Sequence, residues 1–252
     1  MTAINLYASG PRGLLVTDTA AYDDDGMVHS FVSKSLAIPR LRMALATRGM
    51  IAMLPALAAR IDLMSTSFDH LIDEGSEAIA QWFADLDHDD AMEREFELSA
   101  VGWSESRKAV IAIQMASIDI PGRAAFQWSG GAVLIGPNPP MEDLVAAGVL
   151  VNGIFDERDI EQSLLKVMEI QRSYRVRLGT DPSLPERHCV GGQAIVTEIT
   201  ESGVSQRIAR TRPDRVGEHI EPAPPSSAVV VPMSREQQRR LDKMGRRAAR
   251  AR

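Results

Sequence analysis

The sequence predicts an α+β fold in which antiparallel sheets are covered by layers of helix. Short apolar runs that read as strands come in groups, and stretches with apolar residues at helical spacing separate those groups. Gly, Pro, Asn and Asp cluster at the joints. The order is therefore strands, helices, strands, helices, strands, without the strict βαβ alternation of a parallel sheet. A chain of 252 residues buries a sizeable core, and 44% hydrophobic with 25% charged residues is an ordinary globular composition. One domain with a tail is expected: a body over 1–220, a Pro/Ser-rich linker over 221–234 and a basic tail over 235–252.

Taken in order, residues 3–9 and 13–19 flank the turn signal Gly10-Pro11-Arg12-Gly13 and read as a hairpin. After a turn at Asp23-Asp24-Asp25-Gly26, the Val-, Ile- and Leu-rich segments 27–32 and 36–46 read as a second strand pair, with Pro39 near an edge or bend. Met50, Leu54, Leu57, Ala58 and Ile61 then recur at helical spacing, and Phe68, Leu71, Ile72, Ile79, Trp82, Phe83 and Leu86 continue it, so two successive helices are expected. Strands return at 96–103 and 108–116 around Ser104-Glu105-Ser106-Arg107, with a further apolar segment at 131–135. Helices are expected over 141–153 and 156–178, the second from the stripe Ile160, Leu164, Val167, Met168 and Gln171. Strands at 190–199 and 203–210, turning at Glu201-Ser202-Gly203, close the body.

Charge divides the chain unevenly. Residues 235–252 carry eight Arg or Lys against two acids, net +6, which leaves −12 on residues 1–234 of a chain whose total is −6. That tail is the one segment whose charge suits nucleic acid or an acidic protein, although no aromatic residues interleave its basic ones. No run approaches the roughly 20 apolar residues of a membrane span, and the start has no basic segment before an apolar one. The single Cys189 forms no internal disulfide, so a reducing cytoplasm is the expected compartment.

The candidate chemistry begins at the amino terminus. Thr2 is small enough for removal of Met1, and a free Thr2 would carry a hydroxyl nucleophile and an α-amine on one residue. The amine's unperturbed pKa, about 7.7 to 8.0, suits a general base near neutrality. Such a site needs a cation that keeps the amine unprotonated and a carboxylate that holds the cation; Asp18 and Lys34 are the candidates. No cofactor or metal is implied.

In this spacing the chain resembles the proteasome β subunits and the bacterial HslV peptidase, which are N-terminal-nucleophile (Ntn) hydrolases. There an N-terminal threonine is followed by an aspartate and then a lysine at intervals of sixteen and sixteen residues, as are Thr2, Asp18 and Lys34. Gly13-Leu14-Leu15-Val16-Thr17-Asp18 is similar to the family's second strand, and Ala46-Thr47-Arg48-Gly49 before a long helix to its next landmark. Val101-Gly102-Trp103 and Val190-Gly191-Gly192 are similar to later hairpins, so the resemblance spans about residues 2–210. It implies a four-layer αββα sandwich, a threonine peptidase or amidohydrolase with Gly49 N–H in the oxyanion hole, a homo-oligomer, a peptide or protein substrate and an unfoldase partner. The chain departs from the family at Thr19, at Ile135-Gly136-Pro137-Asn138, where a serine is usual, and at Arg187-His188-Cys189-Val190, where an acid and a serine are usual.

Blander readings attach to the same residues. Thr2 reads also as a frayed terminus, Asp18 with Lys34 as a surface ion pair worth about 0–1 kcal/mol, and Gly49 as a turn residue. Asp23 to Gly26 lacks the ligand pattern of a calcium loop, Ser129-Gly130-Gly131 lacks that of a nucleophile elbow, and adjacent His188 and Cys189 point to opposite faces of an extended segment. Two function classes remain: the threonine hydrolase, and a non-catalytic assembly subunit tethered by its basic tail.

Overall fold

The computed structural model describes residues 2–86, 95–177 and 183–222. The chain runs β1 (Ile4–Ser9), β2 (Arg12–Thr17), β3 (Ala20–Tyr22), β4 (Val28–Phe31), β5 (Ser35–Ile38), a single 3-10 turn (Pro39–Leu41) and β6 (Met43–Gly49). Helices α1 (Met53–Met64) and α2 (Phe68–Ala84) follow, then β7 (Phe96–Ser104), β8 (Ala109–Ala116), β9 (Ser129–Gly130), β10 (Val133–Gly136) and α3 (Met141–Ala146). The rest comprises β11 (Leu150–Val151), β12 (Ile154–Phe155), α4 (Ile160–Ser173), β13 (Arg175–Arg177), β14 (Glu186–His188), β15 (Gln193–Thr200) and β16 (Gly203–Thr211). Helix and sheet are mixed, and every described pairing is antiparallel.

Two five-stranded sheets dominate, ordered β10-β1-β2-β15-β16 and β5-β6-β7-β8-β9. Their period-two side-chain alternation sorts residues into three cores. Ile4, Leu6 and Leu15 of the first sheet meet Ala44, Ala46, Val101 and Ala112 of the second in a core between the sheets. The alternate residues Met43, Leu45, Leu98 and Ala100 face Leu54, Leu57, Ile61, Phe68 and Leu71 of α1 and α2. On the first sheet Tyr7, Leu14 and Val16 face Ile160, Leu164 and Met168 of α4. Central strands buried on both faces read as unbroken apolar runs, which is why 14–16 and 43–46 do. Each fully buried side chain such as Leu57 or Ile61 contributes about 1.5–3 kcal/mol.

Side-chain caps start two of the helices. Ser67 accepts the His70 N–H at α2, and Asp159 accepts the Gln162 N–H at α4. Several expectations need correction. Segment 27–32 pairs with β3, not with 36–46, because Asp23 closes the intervening turn by accepting the N–H groups of Gly26 on its carbonyl and Met27 on its carboxylate. Segment 36–46 is itself a hairpin: Pro39 opens the 3-10 turn, Arg42 at φ 46° closes it, and Ser35 to Ile38 pair with Ala46 to Met43. The helix expected over 141–153 stops at Ala146, where Gly148 at φ 67° lets its own N–H reach the Val145 carbonyl and the Val149 N–H reach that of Leu144. Asn152 and Gly153, both at positive φ, then turn β11 into β12. The second expected helix spans Ile160–Ser173, not 156–178, and Arg175–Arg177 is strand β13. The basic tail 235–252 and the linker beyond Pro222 lie outside the described residues.

Candidate active site

The strands bring their ends together in two groups, and the candidate residues lie at one of them. Asp18 follows directly on β2 and is 0% exposed. A buried carboxylate is costly unless it is paired and hydrogen-bonded. Both conditions are met: Asp18 Oδ1 accepts the Ala3 N–H at 3.0 Å, and Oδ2 accepts Lys34 Nζ at 2.9 Å and the Gly191 N–H at 3.2 Å. Lys34, 6% exposed, sits just before β5 of the other sheet, with its ammonium 5.6 Å from the centre of the Tyr22 ring. Next to Lys34 the two sheets are joined by a side chain, since Gln206 Nε2 of β16 donates to both Ser35 Oγ (3.1 Å) of β5 and Thr197 Oγ1 (3.0 Å) of β15.

Thr2 precedes β1 and is 8% exposed. Its carbonyl accepts Arg48 Nε–H at 3.0 Å, while Arg48 Nη1 donates to Glu97 Oε2 at 3.0 Å. Burial lowers the Arg48 pKa from its ordinary value, and the neighbouring Glu97 carboxylate acts in the opposite direction. A Cβ at Gly136 would come within 1.6 Å of Arg48 Nη2, so with this placement of the guanidinium the end of β10 has no room for a side chain at residue 136. Thr2, Asp18 and Lys34 are thus one contiguous group, as their spacing suggests.

Gly49 is joined to this group through its neighbour Arg48. It has φ 111°, and a Cβ there would stand 2.2 Å from the Glu95 carbonyl oxygen, so no other residue fits. Opposite it in register is Phe96, whose N–H donates to Ser117 Oγ and whose carbonyl accepts the Ser117 N–H. The backbone groups of Phe96 therefore face β8, which makes Gly49 and Phe96 a non-hydrogen-bonded pair and turns the Gly49 N–H away from β7.

Several residues of the site were not singled out as functional by the sequence. The loop Val190-Gly191-Gly192 is held by a buried ion pair between Arg172 of α4 and Asp214, 5% and 3% exposed. Arg172 donates to Asp214 at 2.5 and 2.8 Å and to the Val190 carbonyl at 2.8 Å, and Asp214 accepts the Gly192 N–H at 2.7 Å. Gly191 then reaches Asp18, and its carbonyl accepts the N–H groups of Thr19 and Ala20, both at 3.2 Å. Thr19 accepts the Gln193 N–H on Oγ1 at 2.8 Å, so its departure from the family pattern still has a structural use. Cys189, 2% exposed, lies within electrostatic reach of the pair: burial pushes its thiol up to about 11, Lys34 draws it down and Asp18 pushes it further up. His188 is turned elsewhere, with Nδ1 at 3.1 Å from the carbonyls of Arg172 and Tyr174, so the two adjacent residues form no dyad.

Among the described residues no cluster of three or more His, Cys, Asp or Glu could hold a metal ion, and no helix is long and apolar enough to cross a membrane. Compared with known proteins, the chain matches no family model and no curated protein.

Proposed function

We propose that the chain is an N-terminal threonine hydrolase acting on amide bonds, most simply those of peptides, and that its two sheets and flanking helices form the αββα sandwich of the proteasome and HslV type. The observation that carries this reading is the wholly buried Asp18–Lys34 pair, with Asp18 also gripping the Ala3 N–H beside Thr2. In the proposed reaction Thr2 Oγ attacks the amide carbonyl carbon while the α-amine of Thr2 takes the hydroxyl proton. That proton passes to the leaving nitrogen, and water then hydrolyses the resulting ester. The Lys34 charge favours the unprotonated amine, Asp18 fixes Lys34, and the Gly49 N–H stabilises the oxyanion. A homo-oligomeric assembly served by an unfoldase, in the cytoplasm, belongs to the same proposal, with nucleic acid a partner through the basic tail alone.

A second reading, a non-catalytic assembly subunit of the same fold, is favoured by the low exposure of Thr2. The test is covalent labelling with a threonine-directed electrophile such as a peptide epoxyketone, followed by mapping of the modified residue. Thr2→Ala is expected to abolish labelling and turnover with the fold unchanged by circular dichroism, and Thr2→Ser to keep part of both. Undiminished turnover by well-folded Thr2→Ala rejects the hydrolase, and a retained Met1 in the mass of the purified protein favours the assembly subunit.

A further inference from the structure

Resting on the hydrolase reading, we infer that Arg48 is a positioning residue for the nucleophile, clamping the Thr2–Ala3 peptide against Asp18. The two charged side chains hold opposite ends of one peptide group. Arg48 Nε–H binds the Thr2 carbonyl at 3.0 Å, and Asp18 Oδ1 binds the Ala3 N–H at 3.0 Å. A peptide group is planar, so two such bonds fix both its position and its rotation. The clamp spans the sheets: Asp18 follows β2 of one and Arg48 belongs to β6 of the other. Arg48 is itself oriented by Glu97 on the neighbouring strand β7 and by the space that Gly136 leaves open.

This geometry has a second effect. The carbonyl oxygen and nitrogen of one residue are separated by three bonds, which places the guanidinium within about 7 Å of the Thr2 nitrogen. A cation at that range disfavours the protonated amine, as Lys34 does from its own side. Glu97, 47% exposed in its side chain, partly offsets that charge. Arg48 therefore acts on Thr2 both by orientation and by field, and Glu97 sets how much of the field reaches the amine.

The experiment uses the chain with Thr2 freed at its amino terminus by cleavage of an N-terminal fusion, so that the amine is present whatever the native processing. The α-amine is titrated by NMR, and the second-order rate of labelling by a peptide epoxyketone is measured against pH. Arg48→Gln is expected to raise the amine pKa by roughly half to one unit and to slow labelling at pH 7 about 10- to 100-fold. Arg48→Lys restores the pKa while the rate stays depressed, because an ammonium keeps the charge and loses the planar Nε donor. Glu97→Gln, a half-exposed change that leaves the core untouched, moves the amine pKa down. If Arg48→Gln leaves both pKa and rate unchanged, or if it fails to fold and Glu97→Gln leaves the pKa unchanged, the clamp is overturned. A wild-type chain that never labels but whose amine shifts as stated refutes the hydrolase reading and leaves the clamp standing.

Discussion

The two ends of the strands differ in the ion pairs they bury. At the end where β1 turns into β2, β7 into β8 and β15 into β16, the ion pairs lie in water: Arg12–Glu198 has side chains 44% and 37% exposed, and Lys108–Glu105 has 70% and 44%. Arg42 joins the same end by pairing with Glu105 and donating to the Glu201 carbonyl. At the other end Lys34–Asp18 is 6% and 0% exposed, and Arg172–Asp214 is 5% and 3% exposed. Exposed pairs gain little because water screens them, whereas buried pairs carry a desolvation cost that packed apolar residues would avoid. A fold that needed only stability would have no reason to concentrate buried charge at one end, and this is where the candidate nucleophile lies.

The contrast is most directly broken by removing one charge from each end. Lys34→Ala leaves Asp18 buried without its cation and is expected to cost about 3–5 kcal/mol in urea denaturation, against at most about 1 kcal/mol for Arg12→Ala. Equal costs would dissolve the distinction. Glycines sharpen it next. Gly192 and Gly10 both have positive φ, but a Cβ at Gly192 meets Thr19 Oγ1 at 2.4 Å, while one at Gly10 meets nothing within 4 Å. Gly192→Ala is therefore expected to cost about 2–4 kcal/mol and Gly10→Ala about 1–2 kcal/mol in the same assay.

The smallest expected effect is that of Cys189. Its thiol, pushed from an ordinary 9.0 to about 11, holds its proton more tightly folded than unfolded. The resulting stability is full below about pH 9 and is lost as pH rises through 11, by no more than about 3 kcal/mol, as melting temperatures across that range would record. Iodoacetamide at pH 8 should accordingly modify the native thiol far more slowly than that of the urea-unfolded chain.

What the sequence made legible follows from the range of each signal. Turn residues and alternation are local, so the pairs β1–β2, β7–β8 and β15–β16 could be read directly. Gly148 and Asn152-Gly153 are equally local stop and turn signals, and they end the helix expected over 141–153 although its apolar spacing continues past them. The strand pair β13–β14 was missed because each partner has three residues and the charged members give no apolar run. Within the site, Asp18 and Lys34 were reachable through their spacing from Thr2. Arg172 and Asp214 were not, since a charged residue inside an amphipathic helix and an acid in a loop look like solvated surface until the chain folds them against each other. Arg48 stood within a quoted landmark, yet only the opposing strands reveal that it reaches the Thr2 carbonyl.

The grip of Gly191 on Asp18 also has a meaning in time. The two residues are 173 positions apart. A ribosome adding about 5–20 residues per second needs roughly 10–35 s to cover that distance. Throughout that interval the beginning of the nascent chain exists without the loop that later seals it. Asp18 therefore spends that interval without one of its three hydrogen-bond donors, and 61 residues are still to be added once Gly191 has emerged.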